Sequence, residues 1–131
     1  MKFQVDMEYF VQCFRQLVDT PSPVGYYREM NPVLEKIAAS FGLELTFDNR
    51  GTPYLMLDGE DNSKTVMIGA HADTVGLIVR RVDADGMLRV RQLGGINYAS
   101  TEGETVTVHT RDGRKYTGLM ACQSHSVHVF D

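Results

Sequence analysis

The sequence has little of what would place it in a membrane, outside the cell or on a nucleic acid. Its longest apolar run, residues 66–70, is far too short to cross a bilayer. Residues 1–6 contain no apolar signal-peptide core. Cys13 and Cys122 share no metal-binding or redox spacing, which favours free thiols in a reducing compartment. We therefore expect a cytoplasmic protein with no membrane partner.

Charge of one sign is also scarce. The 13 Lys and Arg residues face 17 Asp and Glu residues, and the net charge of −4 is spread along the chain. The arginines at positions 80, 81, 89 and 91 lie on a predicted hairpin near Asp83 and Asp85, as expected for a solvated strand face. We therefore predict no nucleic-acid partner. With 43% apolar and 23% charged residues, the 131-residue chain has an ordinary globular composition.

Two helices are predicted near the start of the chain. The first carries an apolar stripe at three- and four-residue spacing: Met7, Phe10, Val11, Phe14, Leu17 and Val18. Asp6 is its expected N-cap, and the Pro- and Gly-containing residues 20–25 end it. The stripe of the second is Met30, Val33, Leu34, Ile37, Ala38 and Phe41. Gly42 is its expected C-cap, and Pro32 either opens or kinks this helix.

After Gly42 the pattern becomes extended. Residues 43–47, 53–57 and 65–70 are predicted strands, and the third is so apolar that we expect it to be buried on both faces in an α/β sheet. From Gly76 onward two hairpins are predicted, with turns at residues 83–86 and 111–114. No helical stripe follows Gly76. We therefore predict an α/β region over residues 1–75 and a β-rich region over residues 76–131.

The most promising chemistry is at His71 and Asp73, directly after the predicted third strand. Side chains two apart on a strand point the same way, and ligands bind at the carboxyl ends of strands in open α/β sheets. A neutral imidazole suits zinc or a similar ion, and a nearby carboxylate can hold its other nitrogen. In the alternative interpretation, His71 caps the strand by hydrogen bonding and Asp73 begins a turn. Their spacing alone leaves both open.

The residues around this pair add a resemblance. Residues 66–76, VMIGAHADTVG, resemble the glutamyl-aminopeptidase and cellulase-like family of co-catalytic metallopeptidases, whose members form hollow tetrahedral assemblies. The similarity continues through residues 76–79, 85–89 and 93–95, and it includes the loop at residues 19–25. Residues 117–118 and 126–129 resemble the segment just before the family's β insertion returns to the catalytic domain. Nearly the whole chain is covered.

The resemblance implies specific roles. His71 corresponds to a metal-ligating histidine, and Asp73 to the carboxylate that orients it. The other family ligands, which are a bridging aspartate, paired glutamates, a further acidic residue and a late histidine, would lie beyond residue 131. The chain would then be the N-terminal part of an α/β catalytic domain followed by most of a PDZ-like all-β inserted domain. We therefore expect an aminopeptidase fragment that is inactive alone.

The resemblance also implies cofactors and partners. Family members use two divalent metal ions; we expect zinc first, and cobalt or manganese fit the same ligands. This chain alone should hold little or no metal. Peptides would be the substrates, and homodimers would build a dodecamer. Because the inserted domain mediates dimers in the family, the second hypothesis is a non-catalytic β-domain oligomerisation module.

The remaining histidines favour a third hypothesis only weakly. Cys122, His125 and His128 recur every third residue, an interval that matches neither a helical face nor a strand face. The resemblance aligns His128 with a histidine at the domain boundary, near the family's active site. His109 alternates with Val106 and Val108 in a predicted strand and should face solvent. A small metal-binding protein using His71 and the C-terminal histidines is thus the least favoured.

Overall fold

The first helix forms as its apolar spacing and cap predict. In the computed structural model, which describes residues 4–121, helix α1 spans Met7–Val18. The Asp6 carboxylate accepts a hydrogen bond from the Tyr9 backbone N–H at 3.0 Å, which satisfies one of the donors left unpaired at a helix start. The prediction of this helix and of its N-cap is confirmed.

The second helix, α2, spans Met30–Ala39 and ends in a Schellman motif. Gly42 has φ +69°, its N–H donates to the Ala39 carbonyl, and the Leu43 N–H donates to the Ala38 carbonyl. Pro32 is the third residue of this helix and lies in its first turn, where a backbone N–H has no partner within the helix. The C-terminal role predicted for Gly42 is confirmed.

The helices supply most of the small core. Met30 and Ala38 on α2 are the buried hydrophobic residues of the described chain, with 2% and 6% of their surface exposed. Tyr9 on α1 meets the Phe41 ring edge-on, with ring centroids 5.7 Å apart. Much of the apolar stripe of α1 stays exposed, including Phe10 and Phe14.

The first two strands are shorter than predicted. Strands β1 (Thr46–Phe47) and β2 (Pro53–Tyr54) pair antiparallel, which confirms only the centres of the predicted segments. In the connecting turn, the Asp48 carboxylate accepts hydrogen bonds from the backbone N–H groups of Arg50 and Thr52, each at 2.8 Å. These bonds favour the charged form, with Thr52 contributing most, and lower the pKa of Asp48.

The prediction of a buried strand over residues 65–70 is wrong in this structure. The segment has no strand pairing, and the side chains of Val66, Met67 and Ile68 are 86%, 90% and 94% exposed. A central strand needs hydrogen-bonding neighbours on both edges and covering elements on both faces. The described residues provide neither around this segment, so the backbone between Lys64 and His71 remains irregular.

The first hairpin that follows is confirmed. Strands β3 (Gly76–Val82) and β4 (Leu88–Leu93) pair antiparallel with an irregularity between Val79 and Arg81. The turn is closed by a hydrogen bond from the Asp83 N–H to the Met87 carbonyl at 2.8 Å. The Asp83 carboxylate accepts from the guanidinium groups of Arg89 and Arg81, which lower its pKa. Two of the clustered arginines therefore share one carboxylate.

The second predicted hairpin is also confirmed. Strands β5 (Thr105–His109) and β6 (Lys115–Leu119) pair antiparallel, and a short 3-10 helix, Tyr98–Ser100, precedes them. The chain divides into two compact units, Met1–Gly94 and Gly95–Asp131. Helices with small sheets are compatible with the α/β class, while the domain boundary after residue 75 and the PDZ-like insertion stay predictions. Within residues 4–121, no helix is long and apolar enough to cross a membrane.

The exposed apolar segment has a consequence for association. Contiguous apolar surface promotes self-association, so we expect the isolated 131-residue chain to form oligomers. Ile68→Glu should lower the apparent mass in size-exclusion chromatography and analytical ultracentrifugation. Thr65→Glu, which adds the same charge at an exposed polar position in this segment, is the control and should have a smaller effect. A clean monomer for the unmodified chain would contradict this expectation.

Candidate active site

A single buried serine holds the segment that carries His71 and Asp73. Ser22, in the loop between α1 and α2, has no exposed surface. Its hydroxyl donates to the Ala72 carbonyl at 2.7 Å, and its own carbonyl accepts from the Thr74 N–H at 2.9 Å. Pro23 and Thr74 form a parallel bridge. A loop near the chain start thus clamps residues about 50 positions later.

The contacts of the Ser22–Pro23 loop extend to Gly76, the first residue of β3. A Cβ atom placed on Gly76 would lie 2.4 Å from the Cβ of Pro23, a separation that real side chains do not tolerate. Gly76 has no left-handed backbone, so close approach explains the glycine and backbone strain does not. The serine–proline loop and the start of β3 therefore touch directly.

We expect Gly76→Ala to destabilise this unit by about 1–3 kcal/mol, because the added methyl group must displace the Pro23 ring or the backbone. Urea unfolding followed by circular dichroism would measure the loss. Gly69→Ala is the matched control, since a Cβ there meets nothing within 4 Å. Equal stabilities of the two variants would show that the contact between Gly76 and Pro23 leaves room for a methyl group.

The structure brings the predicted site residues together. The His71 side chain is 84% exposed and that of Asp73 is 40% exposed, and His71 Nδ1 lies 3.5 Å from Asp73 Oδ1. The same nitrogen lies 3.1 Å from the Asp73 backbone carbonyl oxygen. A carbonyl oxygen only accepts, so this contact is a hydrogen bond when Nδ1 carries the proton. Asp73 therefore faces the Nδ1 side of the ring with two acceptors.

This arrangement fits one part of a metal centre. Histidine ligands typically donate one ring N–H to a carboxylate or carbonyl and bind the ion through the other nitrogen. His71 and Asp73 have the donor set for that role. Among residues 4–121, however, no three His, Cys, Asp or Glu side chains are grouped so that they could hold an ion. The described residues thus supply one candidate ligand and its orienting partner, and not a complete metal site.

The other candidate residues lie elsewhere along the sequence. His109, which is predicted to face solvent, lies in β5 and is half-buried. Cys122, His125 and His128 lie outside the described residues. Cys13, on α1, is a free thiol and only partly exposed.

Ser22 is the residue that sequence reasoning missed. Local spacing identifies the proline-containing loop as the end of α1, and the family resemblance includes this loop, but neither links it to residues 72–76. A small polar residue between Pro21 and Pro23 was the available signal, because the prolines restrict its backbone and leave its hydroxyl free to bond elsewhere.

Comparison with known proteins gives the family. The profile of the family described as M42 glutamyl aminopeptidase matches residues 51–131, and the chain belongs to that family. YhfE of Bacillus subtilis is 34% identical over 120 residues, which cover 92% of this chain and 35% of that protein. The glutamyl aminopeptidase of Lactococcus lactis is 29% identical over 77% of this chain and 29% of its own length. The resemblance described above is thereby confirmed.

Solved structures agree with this assignment. A TET aminopeptidase from a marine sediment archaeon of the Thaumarchaeota superposes with a TM-score of 0.78 at 26% identity, over 92% of this chain and 33% of that one. An aminopeptidase of the archaeon Desulfurococcus kamchatkensis gives 0.70 at 30% identity, over 85% and 31% of the two chains. The chain spans about a third of the length of the curated relatives it matches.

Proposed function

We propose that these residues form the N-terminal part of a metal-dependent aminopeptidase, which hydrolyses N-terminal residues from peptides. The observation that carries the proposal is the His71–Asp73 pair, held on the Ser22 loop in a chain of the M42 family. His71 is the metal ligand, and Asp73 orients it. The 131 residues would be inactive without further residues, because the described part of the chain contributes only His71 and Asp73 to the metal site.

The geometry of the pair supports these proposed roles. Asp73 accepts a hydrogen bond from the Nδ1–H group of His71, which leaves Nε2 free for a metal ion. Such ions, when bound, polarise the substrate carbonyl and lower the pKa of water. We propose two divalent ions, zinc first, with cobalt or manganese as substitutes. Because residues 4–121 contain no cluster of three such side chains, we propose that the additional carboxylate ligands and the general base come from residues outside that range.

The same proposal includes domains, assembly and location. Residues 1–75 would belong to the catalytic α/β domain and residues 76–131 to a PDZ-like insertion. Dimers assembling into a dodecamer would suit the similarity to a TET aminopeptidase. A cytoplasmic location would keep Cys13 reduced.

The direct test uses a polypeptide of the relatives' length that contains residues 1–131. It should release p-nitroaniline from aminoacyl-p-nitroanilides, lose that activity with a chelator and regain it with zinc, cobalt or manganese. Acidic and basic residues both belong in the substrate panel, because relatives include a glutamyl and a lysyl aminopeptidase. N-acetylated substrates are the control, since an aminopeptidase requires a free amino group. Chelator-resistant cleavage, or none at all, would contradict the proposal.

One observation supports the alternative of a non-catalytic oligomerisation module. The apolar residues exposed on α1 and over Val66 to Ile68 favour association whether or not catalysis occurs. A full-length polypeptide that assembles but cleaves no substrate would support that alternative.

A further inference from the structure

We propose that Ser22 is a positioning residue that sets the tautomer of His71. The inference rests on the metal-ligand role proposed above, and it concerns how the chain prepares the imidazole before any ion binds. Ser22 itself would touch neither metal nor substrate. Its effect would pass through the two peptide groups that flank Asp73.

Ser22 bonds to both of those peptide groups. The hydroxyl donates to the carbonyl of the Ala72–Asp73 peptide at 2.7 Å. The Ser22 carbonyl accepts from the N–H of the Asp73–Thr74 peptide at 2.9 Å. Two hydrogen bonds from one residue therefore restrict the rotation of the backbone on either side of Asp73.

The second of these peptide groups also faces the histidine. Its carbonyl oxygen, that of Asp73, lies 3.1 Å from His71 Nδ1. A peptide whose N–H is already donating is polarised, and its carbonyl becomes a better acceptor. The bond from Thr74 to Ser22 thus strengthens the acceptor that His71 meets. A row of hydrogen bonds runs from the imidazole through one peptide group to Ser22.

This row favours a proton on Nδ1. Both atoms of Asp73 near that nitrogen, the carbonyl oxygen at 3.1 Å and Oδ1 at 3.5 Å, are acceptors when the carboxylate is charged. The neutral imidazole carries one proton, so a protonated Nδ1 leaves the Nε2 lone pair free. Metal ions bind that lone pair.

Burial separates Ser22 from the other serines that make a similar bond. Ser40 donates its hydroxyl to the Ile37 carbonyl at 2.6 Å, but it lies at the exposed end of α2. Ser22 has no exposed surface, so water cannot replace its hydroxyl without rearrangement. Ser40→Ala is therefore the matched control for Ser22→Ala.

The test reads the His71 tautomer directly, by ¹⁵N chemical shifts of the imidazole in the metal-free 131-residue chain at about pH 8, where histidine is ordinarily neutral. We expect the Nδ1–H form to dominate. Ser22→Ala removes the hydroxyl bond to the Ala72 carbonyl and leaves the main-chain bond from Thr74 in place. The peptide groups around Asp73 then rotate more freely, and the ratio should shift toward Nε2–H by up to roughly fivefold, the equivalent of one ordinary hydrogen bond. Ser40→Ala should leave the ratio unchanged.

Two results would overturn the proposal: a dominant Nε2–H form in the unmodified chain, or a folded Ser22→Ala variant with an unchanged ratio. Should that variant not fold, the unmodified chain decides. There, an Nε2–H imidazole or a Thr74 amide that exchanges at the unprotected rate would overturn it. The tautomer experiment uses no metal, so a negative tautomer result does not contradict the aminopeptidase proposal. A negative peptidase assay likewise does not contradict a positive tautomer result.

Discussion

Replacing His71 with alanine should lower kcat/KM for an aminoacyl-p-nitroanilide more than about 100-fold in a polypeptide of the relatives' length, because the loss of a metal ligand exceeds the 10- to 100-fold typical of an orienting residue. The exposed imidazole makes few packing contacts, so the fold should survive the change. Bound metal, measured by plasma emission spectrometry, should fall together with activity.

Asp73→Asn provides the graded comparison. The amide carries no charge, so the charged oxygen that lies 3.5 Å from His71 Nδ1 is lost, and the backbone carbonyl contact remains. We expect a loss of roughly 10- to 100-fold, smaller than that of His71→Ala. His109→Gln, a change to a histidine of β5 that has no role in the proposed site, is the control and should retain activity. Nearly full activity in His71→Ala would remove this residue from the metal site.

The second large effect concerns the chain by itself. We expect purified 131-residue chain to show no aminopeptidase activity above background, even with zinc, cobalt or manganese added. A co-catalytic centre needs several carboxylates to hold two ions and one base to activate water. Within residues 4–121 no such group exists, and His71 and Asp73 contribute one ligand and its orienting partner.

Metal analysis separates the possible reasons for inactivity. The purified chain should hold well under one tightly bound ion, in agreement with a single available ligand. Metal-dependent cleavage by the pure chain would contradict the fragment interpretation. Stoichiometric zinc without cleavage would instead support the independent metal-binding protein that uses the C-terminal histidines.

Short-range signals were the reliable part of the sequence. Asp6 and Gly42 mark helix ends because their roles depend on bonds within a few residues. Asp83 and Gly86 mark a hairpin for the same reason, since the turn closes between residues 83 and 87. Each of these features could be predicted because both partners of the bond lie in one short stretch.

The central strand predicted at residues 65–70 could not be decided from local signals. The apolar run at residues 65–70 indicates an affinity for a buried environment, yet burial depends on what other segments supply. Among residues 4–121 no segment pairs with or covers this run, and Ile68 is 94% exposed. The apolar pattern therefore predicted that the segment favours a buried environment, but not whether it is buried.

The description of the His71–Asp73 pair likewise comes partly from the sequence and partly from the structure. The sequence by itself determined which residue types stand two positions apart, and the family resemblance assigned them a ligand and an orienting carboxylate. The structure places both acceptors of Asp73 near Nδ1, and only the tertiary structure decided that buried Ser22 bonds the peptide groups on either side of Asp73. The reason is distance along the chain: a hydrogen bond across about 50 residues depends on how the loop and the segment pack, which no local pattern encodes.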